Sequence, residues 1–592
     1  MSTRTVAPRE DEASELVPLL ILAAFGLVAV GDTAGMVGMR VATWLNGGDW
    51  SGGPAWSKTL VVDLVRQGPE RLAPGAPPAL TWFAVGVTFV LLVLPLLVLL
   101  LLLRRLGRKP PSLSATRDVY PLTPAGATRE AIRLRPSLRD QAPKSVRPED
   151  SGLLLGRLLP KGPVLRATWE SVVLAIMAPR AGKTTALAVP HVLDAPGWAV
   201  ATSNKADLWL ATAAARTDHG RVWLFDPQSI THGEQGFWWN PLGAAKDVNG
   251  AQRLAGHFIQ EVRGDKGDRD FWTSAAHDLL TAMILAAATS GRTLVDVYKW
   301  LNDSANPEPQ KLLTAAGEND IAASLRGRQQ GAPDTREGIF ETARTAAQCL
   351  RDRAITAWIT PQPDLPELSE VSLVVSTDTL YLLSKDGAGA AAPLVAALVD
   401  AIMRAGIVEA EQQGGRLDPP GAVVIDEAAN VCRIADLPDL YSHLGSRGIV
   451  PVTILQSYKQ GHRVWGDAGM ATLWGAATVK VIGAGIDDAQ VAEDISRLIG
   501  DEDVNVRSHS SSKGRRTTSV SVRQQRVLAP SAVRALPKGQ AILLVTGVKA
   551  ALIELLPWYK GSQAASIAAA MSAAEEALTA RARARVGSGD AA

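Results

Sequence analysis

Cysteine is nearly absent. The chain holds two in 592 residues, Cys349 and Cys432, and neither sits in a CxxC pair or a Cys/His cluster. That excludes a cysteine-built zinc site and suits a reducing cytosol. A dominant charge is missing too. Lys and Arg number 61 against 59 Asp and Glu, a formal charge of +2, so bulk electrostatics predict no partner. Any nucleic-acid contact has to come from a local patch. No internal repeat is visible, and the length predicts roughly two to four domains.

Long apolar runs are confined to the N-terminal part. "LVPLLILAAFGLVAV" begins at Leu16 and extends to Met39 if Asp32 lies near an interface. "ALTWFAVGVTFVLLVLPLLVLLLLL" runs from Ala79 to Leu103 without a charge. A helix of about 20 apolar residues crosses a bilayer core, so residues 16–39 and 79–103 are expected to be two transmembrane helices. The alternative for the first is a signal peptide, but its leading stretch ends acidic and no A-x-A site follows. "RRLGRK", Arg104 to Lys109, carries four basic residues and no acid directly after the second span. That puts both termini in the cytoplasm at a cell membrane, with an outward loop between the spans.

Residues 111–150 are rich in Pro, Arg and Ser without apolar periodicity and read as a linker. Beyond them, short β-branched runs alternate with Ala/Leu-rich helical stretches. "SVVLAIM" (171–177), "GWAVATS" (197–203), "RVWLFDP" (221–227), "DTLYLLS" (378–384), "GAVVIDE" (421–427), "IVPVTILQS" (449–457), "ATVKVIG" (477–483) and "AILLVTG" (541–547) read as strands. The alternation predicts a parallel, doubly wound α/β sheet. Residues 266–370 lose the strand signal and read as an all-α domain inserted between two parts, 151–265 and 371–560, of the α/β domain. Residues 561–592 read as a helical tail.

"IMAPRAGKTTAL" is a phosphate-loop pattern with one departure. Gly182, Lys183 and Thr184 are present, but the first glycine of G-x-x-x-x-G-K-S/T is replaced by Met177. A strand precedes the loop and a helix start follows it, although Pro190 limits or kinks that helix. Backbone N–H groups of Ala178, Pro179's successors Arg180 and Ala181, then Gly182, Lys183, Thr184 and Thr185, are expected to wrap phosphate at a positive helix end. Lys183 would reach the β- and γ-phosphates of ATP, and Thr184 would hold Mg2+. "AVVIDE" supplies the second half: Asp426 beside Mg2+, and Glu427 to orient or deprotonate the attacking water. Gln456 ends another strand and either senses the γ-phosphate or is a surface turn residue. Arg447, before that strand, either reaches a neighbour's nucleotide or is a solvated loop arginine.

Several stretches together resemble one family. "IMAPRAGKTTALAVPHVL", "GWAVATSNKADLW", "RVWLFDPQS", "RDFWTSAAHDLLTAMILAA" and "VVIDEAANVCRIADLPDLYSHLGSRGIVPVTILQS" are similar to type IV secretion coupling proteins of the TraG/TraD kind, with an actinobacterial flavour in "TSNKADLW". The resemblance implies a membrane-anchored RecA-like P-loop NTPase with an all-α domain, assembled as a homo-hexamer. It implies ATP and Mg2+ as cofactors, and DNA or a relaxase–DNA complex together with channel components as partners. An FtsK-like double-stranded-DNA translocase is the nearest rival and would lack the helical insertion; a membrane scaffold with a decayed nucleotide site is the other. No acid occurs from Val504 to Ile553, and "RSHSSSKGRRTTSVSVRQQR" (507–526) reads as a basic loop or hairpin.

Overall fold

A computed structural model describes residues 11–107, 113–262, 271–512 and 515–589. The chain divides into two compact units, Met1–Pro110 and Pro111–Ala592.

In the first unit, helices Asp11–Leu45 and Pro78–Gly107 pack together, with short helices Leu60–Gln67 and Pro69–Leu72 between them in sequence. At 35 and 30 residues, both exceed the ~30 Å core of a bilayer at about 1.5 Å per residue. A Cβ on Gly38 would come within 2.5 Å of the Val85 backbone, so glycine permits this close crossing. Asp32 is buried, and its carboxylate accepts the Val61 backbone N–H at 2.9 Å, at the start of Leu60–Gln67. Among the described residues, Pro78–Pro95 and Phe271–Ser290 pass as apolar enough to span a membrane. The second is 67% buried inside the protein and is a core helix. Side chains of the first half of the expected 16–39 span lie outside the described ones.

The second unit is built on one eleven-stranded sheet. Its strands are β1 (Leu153–Leu158), β2 (Val164–Ala167), β3 (Val173–Ile176), β4 (Ala199–Ser203), β5 (Val222–Phe225), β6 (Thr379–Leu383), β7 (Gly421–Ile425), β8 (Ile449–Leu455), β9 (Val479–Gly483), β12 (Gln540–Val545) and β13 (Ala551–Glu554). A separate hairpin pairs β10 (Asp501–Ser512) with β11 (Arg515–Arg526). The sheet order is β2-β1-β13-β12-β9-β3-β8-β7-β4-β6-β5. From β9 to β5 every pairing is parallel; from β2 to β9 every pairing is antiparallel. All eight expected strands form. β1, β2 and β13 are additions at the edge, where Gly156 and a register shift break the alternation that marks a strand.

The helical insertion is present between β5 and β6, with Phe271–Ser290 as its central, mostly buried helix. Helix Val248–Ile259 already packs on that helix, and a two-residue pairing of Trp238–Trp239 with Glu367–Leu368 ties the root together. The helical region therefore starts before residue 266.

The expected linker is folded instead. Helix Pro124–Leu134 is capped by Thr123, and the buried Arg135 guanidinium bonds Asp150 at 3.0 Å and Asp418 at 3.2 Å. Polar partners from distant parts of the chain hold this stretch, so it needs little apolar periodicity. The tail forms helix Ala564–Gly589, packed on helix Asp207–Arg216. Both cysteines are free and buried, and burial pushes both thiols up.

His191, fully buried in helix Val189–Leu193, makes a hydrogen bond from Nε2 to the Leu154 carbonyl at 2.7 Å, while Nδ1 has no partner. Burial lowers its pKa to about 4. The unfolded chain then binds the extra proton first, so stability is full above an ordinary histidine pKa and is lost as pH falls towards 4. The expected loss is roughly 3 kcal/mol. Urea midpoints compared between wild type and His191→Gln at neutral and acid pH check this; parallel pH dependence in the two would contradict it.

Candidate nucleotide site

The site gathers at the ends of three adjacent strands, β3, β8 and β7. β3 is entirely buried and hands over to Met177, whose N–H donates to the Leu455 carbonyl at 3.0 Å. The next N–H, from Ala178, donates to the Ala484 carbonyl at 3.2 Å. The loop thus leaves the sheet pinned between β8 and β9.

Met177 therefore does not need the freedom of glycine. Its buried side chain lies over Gly483, where a Cβ would come 2.6 Å from the Met177 Cγ. A Cβ on Gly485, at φ 91°, would come 2.3 Å from the Ala178 Cβ. The bulk gained at 177 is accommodated by Gly483, and Gly485 leaves room for Ala178. Left-handed backbone falls later, at Arg180 (φ 62°) and Gly182 (φ 96°). Arg180 carries the cost of a Cβ in that region.

After Gly182 the helix begins with a wide turn over Thr184–Ala188 and continues as Val189–Leu193. Pro190 does not end it. Proline lacks an N–H, and it sits at the junction of the two helical pitches. Pro179 lines the cleft, Ala181 closes a tight turn onto the Ala178 carbonyl at 3.2 Å, and Thr185 Oγ1 donates to the Gly182 carbonyl at 3.3 Å.

The acids stand opposite. Asp426, buried at the tip of β7, accepts from Thr184 Oγ1 at 2.8 Å. Burial pushes its pKa up to about 6, with Thr184 and Lys183 opposing and Glu427 adding to the rise. Glu427 holds a left-handed backbone, φ 58°. That turn aims its carboxylate across the cleft at Lys183 Nζ, with which it forms an ion pair. The other oxygen accepts from Gln456 Nε2 at 2.6 Å and Asn430 Nδ2 at 3.2 Å.

Lys183, Thr184, Asp426, Glu427 and Gln456 are thus one hydrogen-bonded group. Arg447 is not part of it. It precedes β8 while Gln456 follows it, and it bonds the His443 carbonyl at 3.3 Å. Seven residues of strand separate the two, roughly 23 Å at strand rise.

The group lines a cleft of about 510 Å³, with Asn204, Lys205, Asp386 and Tyr559 also on its walls, inside the ~300–1,000 Å³ common for ligand sites. A hollow of about 900 Å³ near Pro124 and Arg166 is larger, but no Asp or Glu is among its lining residues, so size does not mark the site. Thr184 and Asp426 offer hard oxygen donors of the kind Mg2+ takes. Among the described residues no group of three His, Cys, Asp or Glu side chains could hold a metal alone. A cation here would need oxygens from a bound phosphate and water.

Sequence reading missed Asn430, Asn204, Asp386 and Tyr559. Asn430 could have been found as a polar residue one helical turn after the strand-end acid. Tyr559 had no signal, since it lies in a segment without a motif.

Residues 420–538 match the family model described as the TraM recognition site of TraD and TraG. A curated relative, "Probable conjugal transfer protein TraG" of Sinorhizobium fredii (strain NBRC 101917 / NGR234), is 23% identical over 384 residues. That alignment covers 62% of this chain and 58% of the relative. Among solved structures, the bacterial conjugative coupling protein TrwB in its unbound monoclinic form superposes with TM-score 0.51 at 16% identity, covering 72% of this chain and 91% of that one. A trigonal form of TrwB in complex with sulphate gives TM-score 0.50 at 17% identity, covering 68% and 89%. The chain accordingly shares the fold of the TrwB structures, an α/β sheet domain carrying a helical insertion.

Proposed function

We infer that this chain is a coupling protein of the TraG/TraD kind, a membrane-anchored ATPase that links a DNA or relaxase–DNA substrate to a type IV secretion channel and drives its transfer. One observation carries the reading: Lys183, Thr184, Asp426, Glu427 and Gln456 converge at neighbouring strand ends of a RecA-like sheet. The spatial group is much more specific than any of its short motifs alone.

Lys183 and Glu427 form an ion pair and neutralise each other. Arriving phosphates compete for Lys183, and the positive helix end at Thr184 favours them. Release of Lys183 frees one oxygen of Glu427, while Gln456 and Asn430 hold the other. Glu427 is then positioned to take a proton from water. Thr184 and Asp426 would hold Mg2+, which supplies charge neutralisation at the phosphate oxygens. Gln456 contacts Glu427 and so couples the end of β8 to the nucleotide state. Arg447 lies too far from its own cleft and is assigned to a neighbour's nucleotide in a homo-hexameric ring.

The two N-terminal helices serve as the anchor, with both termini in the cytoplasm by the basic residues after Leu103. The segment 420–538 offers the docking face for relaxosome proteins, in keeping with the TraM recognition match. The part of hairpin β10–β11 beyond Asp503, which carries no acid, is a candidate phosphate contact within it.

ATP hydrolysis by the detergent-solubilised full chain, measured with and without single- and double-stranded DNA, tests the reading. Hydrolysis stimulated by one of the two is expected. A chain that neither binds nor hydrolyses ATP would overturn it.

A further inference from the structure

We propose that Tyr559 is the base-binding residue of the nucleotide cleft, a stacking surface for the purine supplied by the C-terminal segment. The inference rests on the nucleotide-site reading above and adds a part of the site that neither motif contains. It also lies beyond the matched segment, which ends at residue 538.

The cleft is polar almost throughout. Lysines, threonines, aspartates, Glu427 and Gln456 suit phosphate and cation, but a purine needs a flat apolar face. Tyr559 is the one aromatic ring among the residues lining the cleft. It is 56% exposed, so its ring is available.

Its position is built, not incidental. Strand β13 ends at Glu554, and the next residue, Leu555, is buried and donates its N–H to the Gly539 carbonyl at 2.8 Å. A single tight turn, Trp558–Lys560, follows and packs against Thr184–Ala188, the first turn of the phosphate-loop helix. Trp558, partly buried, packs against the core that contains Leu187, and Tyr559 meets it edge-on at 5.8 Å and 79°. That contact orients the tyrosine without stacking over it. Helix Ala564–Gly589 then packs on Asp207–Arg216, whose first residue Asp207 lines the cleft together with Lys205 just before it. The turn is held at both ends, and it sets Tyr559 on the wall of the same cleft as Thr184 and Thr185.

Aromatic stacking accepts any base, because every base has a π face, and its loss on alanine substitution costs about 5- to 150-fold in affinity. The test measures Mg2+–ATP and Mg2+–tripolyphosphate binding to the detergent-solubilised full chain. Tyr559→Ala is expected to weaken ATP about tenfold and to leave tripolyphosphate unchanged, with Tyr559→Phe restoring ATP. Equal ATP affinity in Tyr559→Ala and wild type would overturn the proposal while leaving the nucleotide site intact. Equal loss of both probes would also overturn it, by making Tyr559 a prop for the phosphate loop. A wild-type chain binding neither probe would overturn the nucleotide site itself.

Discussion

Glu427→Gln is expected to lower ATP turnover roughly a hundred- to ten-thousandfold while nucleotide remains bound. Glutamine has the size of glutamate and takes the same left-handed turn at residue 427 at similar cost. Its carbonyl oxygen still accepts from Lys183 or from Gln456, so the group stays assembled. It cannot take a proton from water. The substitution also removes a negative charge beside Asp426, where Glu427 contributes to the raised pKa. Asp426 then ionises more readily, which favours Mg2+. The expected protein is a nucleotide trap. Single-turnover hydrolysis together with equilibrium ATP binding separates the two effects. Turnover within tenfold of wild type would remove Glu427 from the chemistry.

Lys183→Ala is expected to fail differently, losing both binding and turnover, the latter by roughly a hundred- to a thousandfold. Among the described residues, the lysine ammonium is the one cation paired with Glu427. Its loss leaves Glu427, 11% exposed in its side chain, facing only neutral donors from Gln456 and Asn430. An uncompensated, largely buried charge is costly, more so than removal of the whole pair. The apo thermal midpoint should therefore fall in Lys183→Ala and recover in part in the double variant Lys183→Ala/Glu427→Gln. Thermal scans of the four proteins without nucleotide check this. A double variant less stable than either single one would show that the ion pair does not set the stability of the cleft.

Much of this fold could be read from local patterns. A β-branched run bounded by turn residues forms a strand wherever it is buried, and all eight such runs do. The G-K-T tripeptide after one strand and the D-E pair after another are likewise local, because each needs only its own strand end. The long charge-free run before Arg104 is legible by length and composition alone. The stretch around 124–151 was not legible. Its fold depends on Arg135 reaching Asp418, almost three hundred residues away, and no window of sequence contains that bond.

The phosphate loop divides along the same line. Gly182, Lys183 and Thr184 follow the phosphate-loop pattern, and Met177 departs from it at the first glycine. What permits the departure lies on β9 and just after it, where Gly483 and Gly485 leave room for Met177 and Ala178. A close approach between two strands depends on both, so a glycine missing from one can be offset on the other. Arg447 and Tyr559 show the converse. Arg447 sits two residues before the strand that Gln456 follows, yet the strand's length carries it away from the cleft. Tyr559 is 375 residues beyond Thr184 and is brought beside it by the antiparallel strands that extend the sheet. Sequence patterns report what a segment does with its own backbone and one buried face; which segments share a cleft is set by strand order, through hydrogen bonds between residues far apart in the chain.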